Sequence, residues 1–287
     1  MKRQLTRRPA AAGAGVLAVI GAGLLIILFA CGSGATDAYD AEVLRDQPKA
    51  YWTMANSAGG TEPDISGANN NGTYTGSPAS ATLPNGAAAA RFDGGERYLE
   101  IADAAALSPD TAGVITLEAW LRPDALQFRH EEGTGYVHWL GKGEPENYEY
   151  VARIYSAENA EDRPNRISGY AFNQDGGLGA GSYFQDNVRA GEWIHYVLVI
   201  KVGASGGDYP HGYTKIYRDG ILRDQDDLSI NGRTIRPARG DAPLRIGTSN
   251  LESFFEGGVG KVAVYDKELT QAQIIRHYEV MTGKKAG

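Results

Sequence analysis

About a dozen strand-length runs, with no long helical pattern between them, hold this chain to an all-β fold. They are Ala50 to Met54, Ala89 to Phe92, Tyr98 to Ile101, Val114 to Arg122, Tyr136 to Leu140, Glu149 to Tyr155, Arg166 to Phe172, Trp193 to Ile200, Thr214 to Arg218, Ile221 to Gln225, Leu244 to Ile246 and Lys261 to Tyr265. Clusters of Gly, Asn and Asp divide them, in keeping with 38 glycines and 16 tyrosines. So many strands without crossover helices predict a two-sheet antiparallel sandwich. The clearest local signal is Asp219-Gly220 between two alternating runs, which demands a two-residue type I′ hairpin loop. Thr270-Gln271-Ala272-Gln273 reads as a capping box that opens a short terminal helix with Ile274, Ile275 and Tyr278 on its apolar face. The Gly-rich pieces Asp175 to Ser182 and Gly203 to Gly212 read as loops.

The N-terminus is built differently. Residues 1 to 9 carry Lys2, Arg3, Arg7 and Arg8 and no acid, and Ala10 to Ala30 is free of charge. Basic and then apolar is the order of an export signal. The stretch ends in Leu28-Phe29-Ala30-Cys31, which resembles a bacterial lipobox except at Phe29 and implies cleavage before Cys31 and acylation of its thiol. An apolar run this long also matches the ~20 residues of a spanning helix, so an uncleaved anchor is the alternative. A twin-arginine reading of Arg7-Arg8 fails on Pro9 and Ala10, where a bulky apolar residue belongs. Residues 1–31 are thus read as signal or anchor, 32–38 as a tether and 39–287 as one exported domain.

Composition narrows the partners. Cys31 is the only cysteine, so no intrachain disulfide is available and the exported domain must rely on its core or on a metal. Net charge is -7 although four bases sit in the leader, which argues against nucleic acid or an anionic membrane surface as the ligand.

Six pieces in order resemble the laminin-G-like jelly rolls of the concanavalin A-like lectin/glucanase superfamily. Tyr51-Trp52, Asp64-Ile65-Ser66-Gly67 and Asn71-Gly72-Thr73-Tyr74 resemble its opening strand and turn. Arg91-Phe92-Asp93-Gly94 with Tyr98 to Ile101, and Thr116-Leu117-Glu118-Ala119-Trp120-Leu121-Arg122-Pro123, are similar to its next strands. Gly191-Glu192-Trp193-Ile194-His195-Tyr196, Tyr217-Arg218-Asp219-Gly220 and the stretch from Ile246 through Tyr265 to His277-Tyr278 complete the match. The resemblance implies a jelly-roll sandwich. It implies no single chemistry, since the fold carries lectins, adhesion modules and glycosidases alike.

Catalytic patterns are scarce. Glucanases of the superfamily carry E-x-D-x-x-E on one strand, and no such string occurs here. Hydrolysis of a glycosidic bond needs two carboxyls facing it across ~5 to 9.5 Å. Glu144, Glu146 and Glu149 beside Tyr148 and Tyr150 form the nearest carboxylate cluster, and they straddle a loop. A hydrolase would have to work through acids such as Glu118 or Glu149. His130, His138, His195, His211 and His277 lack metal-ligand spacing, no G-x-S-x-G is present, and the run from Gly176 to Gly181 precedes no helix that could cradle phosphate. Calcium is the cofactor the resemblance brings up, with Asp64 and Asp93 as candidate ligands. Here the chain departs from the family: Gly260-Lys261 stands where an Asp-Glu pair is usual.

Binding remains. Trp139, Tyr148, Tyr150 and Tyr155 fall in the part of the chain least like the family framework, where ring faces could stack on sugars and Glu149 and Arg153 could bond hydroxyls. The competing reading sends these rings into the sandwich core. Ala157 to Asn165 is a polar insertion of unassigned use. The expectation is a membrane-anchored extracytoplasmic module that recognises a glycan or a cell-surface protein without catalysis. The alternatives are a structural protein of the cell envelope and, third, a glycoside hydrolase.

Overall fold

The computed structural model describes residues 37–145, 147–173 and 177–287. Cys31 and the apolar leader lie outside them, as does Glu146 of the acidic cluster. Thr36–Gly287 forms one compact unit. No helix among the described residues is long and apolar enough to cross a membrane.

The elements in chain order are α1 (Ala38–Arg45), β1 (Ala50–Trp52), β2 (Thr61–Glu62), β3 (Gly72–Thr75), β4 (Ala79–Thr82), β5 (Ala88–Asp93), β6 (Tyr98–Ile101), α2 (Pro109–Ala112), β7 (Val114–Pro123), β8 (Tyr136–Lys142), β9 (Tyr150–Tyr155), β10 (Ile167–Phe172), β11 (Gly179–Phe184), β12 (Ile194–Val202), β13 (Gly212–Arg218), β14 (Ile221–Asp227), β15 (Ser229–Ile230), β16 (Arg233–Thr234), β17 (Leu244–Ile246), β18 (Glu256–Tyr265) and α3 (Gln271–Thr282). The first sheet runs β14-β13-β12-β7-β18-β5-β4, with β1 also on β18, and the second runs β11-β10-β9-β8-β17-β6-β3-β2. The named pairings in both are antiparallel, as a jelly-roll sandwich requires.

Period-two alternation sorts the side chains. On β7, Ile115, Leu117, Ala119 and Leu121 enter the core between the sheets, where they meet Trp139, Tyr150, Ala152, Ile154 and Ala171 of the second sheet. The alternate residues of the first sheet, among them Trp120, Val197 and Ala263, form a second core with Tyr39 and Val43 of α1 and Ile274 and Met281 of α3. Both of the longer described helices therefore cover the outer face of the first sheet, and no described helix covers the outer face of the second.

The Asp219-Gly220 loop has both residues at positive φ (54° and 85°) and joins Arg218 directly to Ile221, as the sequence predicts. α3 opens on the reciprocal Thr270–Gln273 capping box. Two local readings change. Residues from Gly179 onward, assigned to a loop, form β11, because glycine admits the close approach of β10: a Cβ at Gly181 would lie 2.0 Å from the Gly169 carbonyl oxygen. The tether also ends in a helix, since Asp37 caps α1 through the Asp40 N–H.

Gly260-Lys261 marks a bulge where β18 passes from pairing with β5 to pairing with β1. Lys261 takes φ 54° there and is buried, with its ammonium bonded to the carboxylates of Asp37 and Asp40. The base that replaces the family's acid thus pins α1 to the sheet.

Candidate functional site

The outer face of the second sheet is assembled from three adjacent strands. On β9, Tyr150, Ala152 and Ile154 face the core, so Arg153 and Tyr155 must face outward. On β10, Ala171 faces the core, leaving Tyr170 and Phe172 outside. On β8 a bulge between His138 and Leu140 lets Trp139 and Leu140 both enter the core while Tyr136 and His138 stay on the outer face. Register brings these side chains into rows, with Tyr136 opposite Tyr155 and Arg153 between His138 and Ser168. Glycines stand opposite the rings on β11: Gly181 faces Tyr170 and Gly179 faces Phe172. Tyr148 reaches in from the β8–β9 loop, its ring 5.7 Å from His138 and 5.5 Å from Phe172.

Arg153 is the centre of this cluster. Its guanidinium carbon lies 4.4 Å from the ring centre of Tyr136, 5.0 Å from Tyr170 and 5.6 Å from Phe172, all within cation–π range. Its Nε donates to His138 Nε2 at 2.9 Å. The other imidazole nitrogen, Nδ1, lies 2.6 Å from an Oε of Glu132, which also accepts from the Asn250 amide. Burial, with Arg153 adjacent, holds His138 below the usual imidazole range. Burial alone would raise the Glu132 carboxyl, yet the contacts with His138 and Asn250 hold it below its ordinary value. At the margin, Arg163 lies beside Tyr155 and pairs with Glu161, and Arg166 stacks 3.7 Å over the exposed ring of Tyr183.

Of the sequence candidates, Tyr148 and Arg153 come together on this face, and Tyr155 shares its parity but is itself buried. Trp139 and Tyr150 do not. Trp139 is fully buried edge-on to Tyr196 with ring centres 4.8 Å apart, and the Tyr150 hydroxyl donates inward to the Leu107 carbonyl. Glu149 is buried in an ion pair with Lys142 at 2.6 Å and accepts from the Gly240 N–H, so it has no sugar-facing role. Tyr136, His138, Tyr170, Phe172 and Glu132 were missed. The signal for Tyr170 and Phe172 was available, because they share the parity that small core-facing Gly169 and Ala171 leave to the outside.

Glu118 lies on the other sheet, beneath the helices. It accepts from Tyr39, Tyr265 and His195, each at 2.8 Å, and from His277. It does not confront Glu149 across any groove. The calcium candidates are also occupied. Asp64 accepts from the N–H groups of Tyr51, Ser66 and Asn70, and Asp93 accepts from Gly95 N–H and pairs with Arg97. Among the described residues no group of three His, Cys, Asp or Glu is placed to hold a metal.

The laminin G family model described as the concanavalin A-like lectin/glucanases superfamily matches residues 93–275. Solved structures agree on the fold. Domain 4 of AbnA, an extracellular GH43 arabinanase from Geobacillus stearothermophilus solved in complex with arabinotriose, is 16% identical with a TM-score of 0.55, over 81% of this chain and 98% of that one. A botulinum neurotoxin type C structure, from work showing that its cell entry depends on two ganglioside molecules, is 11% identical with a TM-score of 0.58, over 84% and 52%. The binding domain of Paraclostridial mosquitocidal protein 1 is 13% identical with a TM-score of 0.56, over 82% and 52%. This chain therefore spans about half of the toxin structures. No curated protein sequence matches it. With the family model over residues 93–275 and the sandwich in place, the chain belongs to the concanavalin A-like lectin/glucanase superfamily.

Proposed function

We propose that this protein is an extracytoplasmic recognition module that binds carbohydrate without cleaving it and is anchored through its N-terminal segment. The observation that carries the reading is the cluster of half-buried Tyr136, Tyr148, Arg153 and Tyr170 around the buried ring of Phe172, on a sheet face that no described helix covers. Aromatic faces stack on the apolar faces of sugar rings, and a fixed guanidinium bonds their oxygens. Non-catalysis is supported by the acids: Glu118 on β7 and Glu149 just before β9 are each buried and committed to other partners. The fold-level likeness to a domain solved with arabinotriose favours a sugar over a protein partner.

Display of the full chain on a glycan array, with reducing-sugar release measured on each glycan retained, tests this. Retention without release is expected. Release that disappears in Glu132→Gln makes the protein a hydrolase, and retention of no glycan at all overturns the reading. Anchoring rests on Cys31 and the apolar run before it. Cys31→Ser should abolish lipid labelling and leave a full-length precursor, because no other thiol is present. A wild-type chain that keeps Met1 and takes no lipid would establish the spanning anchor instead.

A further inference from the structure

Arg153 is fixed on nearly every side. Rings flank its guanidinium, His138 accepts from its Nε, and Glu132 backs His138. An imidazole that accepts at Nε2 carries its proton on Nδ1, which lies beside the Glu132 carboxylate without an aligned hydrogen bond, so it is the Nε2 contact that orients the guanidinium. Nη1 and Nη2 remain. Among the described residues no carboxylate lies within ion-pair distance of Arg153, whereas Arg163 at the margin has Glu161 and Arg245 on β17 has Glu100 and Glu144.

Two amino groups of a guanidinium form a planar fork that matches the two oxygens of a carboxylate. The flanking rings exclude water, and this strengthens such a contact relative to one on an open surface. A neutral sugar would return only ordinary hydrogen bonds to Nη1 and Nη2, whereas a carboxylate would add a charge-assisted pair. We infer that Arg153 is the specificity-determining residue of this face, and that it selects saccharides bearing a carboxylate, either a uronic or a sialic acid. This rests on the carbohydrate-binding reading given above. The chain as a whole is acidic, at -7, so the ligand it fits is a short acidic oligosaccharide gripped at one residue and not a long polyanion.

Calorimetric titration of the full chain with two matched pairs tests the inference. One pair is trigalacturonate and its carboxyl-reduced trisaccharide; the other is 3′-sialyllactose and lactose. In one pair the acidic member should bind about tenfold tighter or more, the scale of a charge-assisted hydrogen bond, and which pair responds distinguishes uronate from sialate. Arg153→Gln should bring the acid down to the affinity of its neutral partner. Arg153→Lys, which keeps the charge and loses the fork, should retain part of the preference, and it serves if the glutamine variant melts early. Equal binding of acidic and neutral members, or a preference unchanged in Arg153→Gln, overturns the role of Arg153 and leaves the sugar site standing. Binding of no member of either pair overturns the selection for acidic sugars, and the carbohydrate reading falls with it only if the array retains no glycan.

Discussion

His277, near the C-terminus, places its Nδ1 2.9 Å from Oε1 of Glu118 in the middle of β7, and both side chains are fully buried. Its Nε2 lies 3.1 Å from Asp46, the residue that closes α1. One imidazole thus joins the first helix, the last helix and a central strand. Tyr39 and Tyr265 complete the shell around the Glu118 carboxylate. Burial works against that charge, but His277 and His195 hold the Glu118 carboxyl well below its ordinary value.

Removing the charge should unfold and not inactivate. Glu118→Gln leaves His277 and His195 facing a neutral amide in a dry site, which costs about 3–5 kcal/mol, the usual loss when one partner of a buried pair is removed. Chemical denaturation measures it. A variant as stable as wild type would show that the network holds the helices only weakly.

The same pair sets a pH window. Burial alone would lower the His277 pKa, but Glu118 and Asp46 raise it above its ordinary 6.5. The stability it contributes is therefore full below pH 6.5 and is lost as pH climbs through the raised value. Glu118, lowered from 4.5, contributes fully above pH 4.5 and is lost on acidification through the lowered value. Both contributions are complete between pH 4.5 and 6.5. Melting temperature should decline above that window, and His277→Gln should flatten the decline. An equally steep alkaline limb in the variant would assign it to other groups.

Gly220→Val should lower stability by about 1–3 kcal/mol, the cost of a β-branched residue at a sparsely populated positive φ. Gly220 sits at φ 85°, and a Cβ there would also come within 2.9 Å of Ala286, so the hairpin and the C-terminal tail would be disturbed together. An unchanged denaturation midpoint would contradict the loop geometry.

Trp139→Ala and Tyr170→Ala should separate core from site. Trp139 is fully buried, and its removal should cost about 3–5 kcal/mol of stability. Tyr170 is only half-buried over Arg153, so its loss should cost the fold less than that of Trp139 and weaken glycan binding several-fold, about 1 kcal/mol for a stacked ring. Glycan binding unmoved by Tyr170→Ala and Tyr136→Ala together would place the site on another surface.

Much of the architecture was legible in the chain because it is written in local chemistry. Alternating β-branched and aromatic runs specify strands, Asp219-Gly220 specifies its turn whatever surrounds it, and Thr270 with Gln273 satisfies the orphan N–H groups of α3 in any context. The ordered motifs from Tyr51 to Tyr278 likewise identified the superfamily before any packing was known. Which way a ring points is a different kind of fact. A one-residue bulge at His138 inverts the alternation beyond it, and it is this that puts Leu140 inside alongside Trp139 while His138 stays out. The partners of Glu118, Glu149 and Lys261 lie as far as 159, 91 and 224 residues away along the chain, so whether those charges were catalytic, solvated or locked in pairs had no local signature. The sequence by itself determined strands, turns, caps and family, whose energies are local. Only tertiary structure decided that Arg153 would stand among three rings on the uncovered face, because that depends on strand register and on which sheet the helices happened to cover.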